Sequence, residues 1–479
     1  MKLLMRQHRF YKRVCDLKNQ AAILLDFGAS RIKAALWNPI IGIVDFIDAP
    51  SPSSKPISNN GNHEMPAEDY WSALEATAGL LIAKHGNYNF FGIFICSEMH
   101  GIIACNKNYK PLTGYISWKD ERARNVVDAL GFTTYQRFEM EAGNFQNLTG
   151  MRLRAGLPIL TLSCDCKKLL NKSKNLRFLT LVDWILVRGG CKDFKVNPTM
   201  AAATGFYDIH KREWSNKLKN IAGFVGDEVI FNELSENLLE PIGRINLAGV
   251  TLSVFGGIGD FQAVMYGSKF SIDFDGLVNL GTGSQVAINY RGNNKSTFLS
   301  DIRIDVLNEM VEVITHIPSG RALSGFAYLV DDIAGSSGGV DIFWRQWSSL
   351  DCCDVINPKI KADLNIFEAS WKKSSESGWV SVGEATSLNE LVAGIANSWA
   401  HQYVQALNEI DINCNAINIA ICGGLSRKSK FMAKVLNEID PRRKYIEVTT
   451  VTGEETLDGL MYLACQIINR IKFNDISKR

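Results

Sequence analysis

The chain has 479 residues, 46% hydrophobic and 21% charged, with 52 lysines and arginines against 50 acidic residues and a formal net charge of +2. At roughly 100 to 200 residues per domain, this length predicts about two to four domains with real cores, which excludes disorder for most of the chain. A balance this close to neutral supplies no global field for polyanions, so neither nucleic acid nor an anionic membrane is an expected partner.

Residues 1–20 are the basic exception, through Lys2, Arg6, Arg9, Lys12, Arg13 and Lys18. Charges at Arg6, Arg9, Lys12 and Arg13 interrupt any apolar core of a secretion signal, so the segment reads as a basic N-terminal arm. No run reaches the roughly 18 apolar residues of a membrane span. Eleven cysteines, with close pairs at Cys164 and Cys166 and at Cys352 and Cys353, lack the spacing of a zinc site or a disulfide framework. Reduced thiols in a cytoplasmic protein are the expectation.

Three apolar strands open the fold: Ala21 to Leu25, Ile32 to Trp37 and Ile40 to Ile47, the first two joined by the turn Asp26-Phe27-Gly28-Ala29-Ser30. A polar loop rich in proline, serine and asparagine covers 48–63. Trp71, Leu74, Ala78 and Leu81 then recur at helical spacing after Pro66, and Phe90 to Cys96 reads as a buried strand. The opening hairpin returns later in the chain, with Val278-Asn279-Leu280-Gly281-Thr282-Gly283-Ser284 matching Leu25-Asp26-Phe27-Gly28-Ala29-Ser30-Arg31. Two similar α/β domains follow from that repeat, 21–248 and 249–479, divided after Pro241-Ile242-Gly243. Towards the end, Ser387 with Glu390 forms a capping box ahead of a helix, Ala416 to Cys422 is a strand, and Gly423-Gly424 turns into a helix over 427–439. A strand at 445–448 and a last helix over 454–470 complete the alternation, which implies parallel pairing and ligands at the carboxyl ends of the strands.

Three glycine-containing turns could offer backbone amides to phosphate: Gly28-Ala29-Ser30, Gly281-Thr282-Gly283-Ser284 and Gly423-Gly424. Neither a P-loop lysine motif nor a dinucleotide fingerprint is present, which disfavours a nicotinamide dehydrogenase. Asp26, at the mouth of the first turn, has the chemistry to hold Mg²⁺ through water, or serves as an Asx-turn residue. Asp260 follows a strand and the glycine-rich Gly256-Gly257-Ile258-Gly259, which reads as a turn bringing a hydroxyl close to the chain. An N-cap aspartate is the alternative role. Glu98, Met99 and His100 after one strand, with Trp118, Asp120 and Arg122, have the chemistry of a polyol site, or His100 is a structural histidine and Asp120 with Arg122 a surface ion pair or helix start.

Together these segments resemble the FGGY family of carbohydrate kinases, in the actin, hexokinase and Hsp70 superfamily, over about 21–470. Met99-His100-Gly101, Trp118-Lys119-Asp120-Glu121-Arg122, Asn197-Pro198-Thr199, Gly257-Ile258-Gly259-Asp260-Phe261-Gln262 and Gly423-Gly424-Leu425-Ser426-Arg427 carry the likeness beside the two hairpins. The resemblance implies an α/β protein of two ribonuclease-H-like (actin-like ATPase) domains with a central catalytic cleft. It implies phosphoryl transfer from ATP to a sugar, with Asp260 as general base and Mg²⁺ at Asp26. Gly28, Ala29, Ser30, Lys33, Gly281, Thr282, Gly283, Ser284, Gly423, Gly424 and Arg427 would bind ATP. Glu98, Met99, His100, Trp118, Asp120, Arg122, Asp260 and Gln262 would bind the sugar. Ala29 stands where the family usually has threonine and Glu98 where ketose kinases have glutamine. Among sugars the motifs lean to an open-chain ketose such as sedoheptulose, then xylulose, over glycerol. The partners expected are this small sugar or polyol, ATP and, in a homodimer, a second copy. The reading from another class is a catalytically silent relative that binds sugar or nucleotide.

Overall fold

The computed structural model describes residues 17–53, 61–125, 127–143, 145–270, 272–292, 299–333, 341–366, 370–372, 378, 380–381 and 387–477. Most of the expected basic arm lies outside these residues, and Gln20, its last member, already begins the first strand. The chain forms two compact units: 1–267 with 304–309 and 456–479, and 268–303 with 310–455.

The first unit opens with β1 (Gln20–Phe27), β2 (Arg31–Asn38) and β3 (Gly42–Pro50), an antiparallel meander. The expected helix follows as α1 (Ala67–Leu74), continued by a π-helical turn at Glu75–Gly79 and a last helical turn at Leu80–Lys84. Next come β4 (Asn89–Ser97), α2 (Leu181–Arg188), the hairpin β5 (Gly243–Leu247) and β6 (Val250–Gly259), and α3 (Asp260–Gly267). The sheet order is β5-β6-β4-β1-β2-β3, with β1, β4 and β6 parallel. Ile23, Leu24, Leu25, Phe94 and Ile95 have no exposed surface, as central parallel strands covered on both faces require.

The second unit repeats the plan. It contains β7 (Gly276–Asn279), β8 (Gly283–Asn289), β9 (Asp301–Ile304), β10 (Met310–Pro318), α4 (Gly320–Ile333), α5 (Leu388–Ile410), β11 (Asn418–Cys422) and β12 (Lys444–Glu447). Its sheet runs β9-β10-β8-β7-β11-β12, antiparallel on the hairpin side and parallel from β7 onward. Numbered within each unit, and setting aside one added edge strand, both sheets have the order 3-2-1-4-5, so the repeat read from two short turns extends to whole sheets. α5 begins at the expected box: the Ser387 hydroxyl accepts from the Glu390 amide at 3.2 Å, and the Glu390 carboxylate accepts from the Ser387 amide at 3.0 Å.

Two expectations change. The division after 248 falls inside the β5–β6 hairpin, whose register runs from Gly243 opposite Val254 to Leu247 opposite Val250. The apparent linker is a hairpin turn, because β6 hydrogen-bonds to β4 as well. The last helix, α6 (Glu455–Ser477), also leaves the second unit for the first, where Leu457, Leu460, Leu463 and Ala464 pack with Leu24, Phe94 and Phe255. The glycines before Asp260 are likewise no turn. Gly256 and Gly257, at φ +81° and +61°, form a bulge inside β6, where a Cβ on Gly256 would meet the Ile95 carbonyl at 2.8 Å.

Candidate active site

Three adjacent parallel strands end together, and their last residues carry the chemistry. Asp26 of β1 lies opposite Cys96 of β4, and Ser97 lies opposite Gly259 of β6, so Glu98 and Asp260 step off neighbouring strands at one edge. The Asp26 carboxylate accepts from the Thr456 hydroxyl at 2.8 Å and from the Cys96 thiol at 3.6 Å. Asp260 begins α3 and accepts from the Phe261 amide at 2.8 Å. Burial pushes the Cys96 thiol well above its ordinary pKa, and the negative charges of Asp26 and Asp260 push it further while Lys33 opposes them. One thiol that feels both carboxylates marks their convergence.

The adjoining turn is tight. The Gly28 amide donates to the Arg31 carbonyl at 3.1 Å, and Ser51 donates its hydroxyl to the Gly28 carbonyl at 2.6 Å. Among the described residues nothing accepts from the amides of Ala29 and Ser30, and Ser30 is exposed. Such paired amides suit an anion.

Glu98 is buried, and burial raises its pKa, against the nearby Tyr115 and Tyr70 hydroxyls, the Lys119 charge and the Trp118 donor, which favour the carboxylate. The Trp118 indole donates to it at 3.0 Å while 39% of that residue stays exposed, leaving an aromatic surface with a fixed orientation. His100 has a left-handed backbone, φ +64°, and its Nδ1 lies 2.8 Å from the Ala203 carbonyl. Gln262 donates to the Ile304 carbonyl at 3.1 Å, which leaves its buried Oε1 without a donor. Gly259 makes room for that arrangement, since a Cβ there would stand 2.4 Å from Gln262 Oε1 and 2.8 Å from Met99 Sδ.

Asp120 and Arg122 have other work. Asp120 accepts from Arg122 at 2.9 and 3.0 Å and from the His63 amide at 2.8 Å. Arg122 also reaches Asp165 at 2.6 Å and Glu64 at 3.0 Å. Both are buried, and their mutual pairing satisfies much of the bonding capacity of each. A pocket of about 290 Å³ opens on this ion network, lined by Glu64, Arg122, Asn125 and Asp165, and includes none of Asp26, Glu98 and Asp260.

In the second unit the Gly281 and Thr282 carbonyls accept from Gly320 and Arg321 at 3.2 and 3.0 Å, anchoring the turn to the start of α4. Their own amides find no acceptor among the described residues. Ser284 is turned inward, its hydroxyl accepting from Tyr403 at 2.9 Å. Gly423, at φ +98°, admits no side chain, because a Cβ would lie 2.5 Å from the Leu280 carbonyl. Gly424 and Arg427 are exposed. Asn279 lies opposite Cys422, whose thiol reaches its Oδ1 at 3.8 Å, repeating the Asp26–Cys96 pair of the first sheet.

Thr456 and the two thiols escaped the sequence reading. Thr456 acts across 430 residues, a separation no local pattern reports, whereas the cysteines look like any core residue of an apolar strand. No cluster of three or more metal-ligating side chains occurs among the described residues. A single hard carboxylate at Asp26 is nevertheless compatible with Mg²⁺, which keeps several waters and binds through one or two carboxylates plus phosphate.

Residues 21–246 match the N-terminal domain of the FGGY family of carbohydrate kinases. A gluconokinase of Bacillus subtilis is 23% identical over 208 residues, 43% of this chain and 38% of that protein. Glycerol kinase 2 of Sulfolobus acidocaldarius is 22% identical over 435 residues, 84% of this chain and 81% of that protein. The chain thus aligns with less than half the gluconokinase's length, and with 46% of an apulose kinase of Pectobacterium atrosepticum. The solved xylulose kinase of Lactobacillus acidophilus shares the fold at a TM-score of 0.76, over 94% of this chain and 90% of that chain, at 15% identity. The described helices include none long and apolar enough to cross a membrane.

Proposed function

We propose, because residues 21–246 match the N-terminal domain of the FGGY family of carbohydrate kinases, that this protein transfers the γ-phosphoryl group of ATP to a hydroxyl of a small sugar. The observation that carries the reading is the delivery of Asp26 and Asp260 to one edge of three parallel strands, beside Glu98. Asp260 takes the proton of the acceptor hydroxyl as its oxygen attacks the γ-phosphorus. The bond from that phosphorus to the bridging oxygen breaks, and ADP leaves. Asp26 would hold Mg²⁺, which when bound would supply positive charge against the phosphates. In the first unit the amides of Ala29 and Ser30 suit phosphate, and in the second those of Gly281, Thr282 and Gly424 suit phosphate or nucleoside, consistent with a reaction that needs positioning and charge stabilisation more than covalent chemistry.

On the acceptor side, the pairing of Asp120 with Arg122 leaves recognition to Glu98, Met99, His100, Trp118 and Gln262. Gln262 Oε1 accepts from a sugar hydroxyl, and the Trp118 face covers sugar C–H groups. A ketose such as sedoheptulose is the first candidate, with xylulose next, and gluconate joins them because gluconokinases are among the relatives. The cytoplasm, which supplies ATP, is the compartment this reading implies. Sugar-dependent ADP release across ketoses, aldoses, aldonates and polyols tests it. The expected result is one acceptor class well above the no-sugar background. No sugar raising ADP above that background would end the kinase reading in favour of a silent binding relative.

A further inference from the structure

We propose that Glu455 is the positioning residue of the nucleotide turn, holding the Gly423 peptide and the Arg427 side chain so that the Gly424 amide stays open to the ligand. One carboxylate oxygen, Oε1, accepts from the Gly423 amide at 2.9 Å and from Arg427 Nη1 at 3.3 Å. Glu455 itself is nearly buried at the start of α6, whereas Arg427 and Gly424 face solvent. The contact therefore joins a fixed carboxylate to an exposed, ligand-ready segment.

Gly423 explains why such a clamp is needed. Its backbone sits at φ +98° against the Leu280 carbonyl and Asn279 Oδ1. The peptide could turn its amide towards an incoming phosphate or ribose if that amide were unpaired. Pairing it with Glu455 fixes the Cys422–Gly423 peptide, whose carbonyl accepts from the Leu280 amide at 2.7 Å. The next peptide, its Gly423 carbonyl held by the Ser426 amide at 3.0 Å and hydroxyl at 2.9 Å, then presents the Gly424 amide. The same Glu455 oxygen anchors the guanidinium: Arg427 Nη2 lies 3.8 Å from the place a Cβ of Gly424 would take, so the cation overlies the glycine surface where a nucleoside would rest. A nearby charge on Glu455 also raises the pKa of the buried Cys422 thiol, after burial itself. Without its partner that carboxylate would repel a polyphosphate. Paired with Arg427, it is neutralised.

The inference rests on the nucleotide reading of this turn, and Mg-ADP binding tests the two separately without any sugar. Dissociation constants are measured by calorimetry for the wild-type chain, E455A, E455Q, R427A and the E455A/R427A double variant, with thermal melting of each as a check of folding. E455A should weaken Mg-ADP binding roughly tenfold, the loss expected for a hydrogen bond to a charged group. E455Q should recover most of that loss, because its amide oxygen still accepts from the Gly423 amide. The double variant should lose no more than the larger single loss, since the two side chains act as one unit. Equal affinity of E455A and wild type overturns the positioning role while leaving the kinase reading intact. Additive losses, or a loss in E455A that Gln does not recover in a variant with a wild-type melt, overturn it too. Absence of Mg-ADP binding in the wild type overturns both.

Discussion

Asp26 and Asp260 lie at the same sheet edge, yet their surroundings assign them different work. Asp26 is 5% exposed and held by Thr456 and Cys96, which suits a carboxylate that must keep one position beside a cation. Asp260 is more exposed and begins a helix, where its carboxylate can reach an incoming hydroxyl. Asp260→Asn should therefore lower turnover by about 100- to 10,000-fold, the range for loss of a general base. Calorimetry should show Mg-ADP affinity essentially unchanged. Retained turnover would remove Asp260 from the mechanism. Both aspartates were legible in the sequence because each follows an apolar strand and neighbours glycine. Asp120 and Arg122 were equally conspicuous, and their spacing allowed an ion pair as readily as a sugar contact, but it could not show that the pair is buried and engages Glu64 and Asp165 as well. Gly101 belongs to this scale as well. A Cβ there would stand 1.8 Å from the Tyr115 hydroxyl, which lies beside Glu98, so Gly101→Ala forces a fully buried ring to move. Thermal melting should register about 1 to 3 kcal/mol of destabilisation, as for other overpacked cores. An unchanged melt would mean the ring shifts without strain.

Elements were read best where a local rule sets their ends. The capping box at Ser387 located the start of α5, and the apolar runs located β1, β4 and β11. The expected helix over 427–439 is instead a 3₁₀ turn at Ser426–Lys428 followed by a helix at Met432–Ile439. Gly423-Gly424 forces the chain to bend first, and apolar periodicity does not register the break. The glycine bulge in β6 escaped for a related reason, since glycines before a helix look the same in a turn and in a bulged strand. α2 offers a quantitative test. Thr180 and Asp183 form its capping box, and burial raises the Asp183 carboxyl to about 6 from 3.8, against the lowering effect of its Thr180 hydrogen bonds. The native state thus holds this proton more tightly than the unfolded chain. The proton's contribution to stability is complete below the unfolded value of 3.8 and is lost as pH rises through about 6. In size it is on the order of 3 kcal/mol. Asp183→Asn keeps an acceptor for the Thr180 amide but has no proton to release. Its stability relative to wild type should rise across this window, as read from denaturant melts at matched pH. A constant difference would show that Asp183 does not titrate as its burial implies.

The molecule as a whole is two copies of one sheet plan, and the sequence announced this through the paired turns at Asp26 and Asn279. It gave less guidance about where one copy stops, because the first unit is assembled from three stretches of chain. A chain ending at 248 lacks β6, Asp260 and α6, so it should fail to form a protease-resistant domain. Ending the chain at 455 should expose the apolar surface that Leu457, Leu460, Leu463 and Ala464 cover, and the product should be recovered mainly as aggregate. A soluble, cooperatively melting product of either length would contradict this dependence. α6 also orders events during synthesis. The ribosome releases the first unit's opening sheet early, but that unit must wait for the last 24 residues, 456–479, before its core can close. The second unit, encoded later, has every residue it needs by 455. The half made first is the half completed last. Between those moments the nascent chain carries an uncovered apolar face that chaperones would be expected to hold.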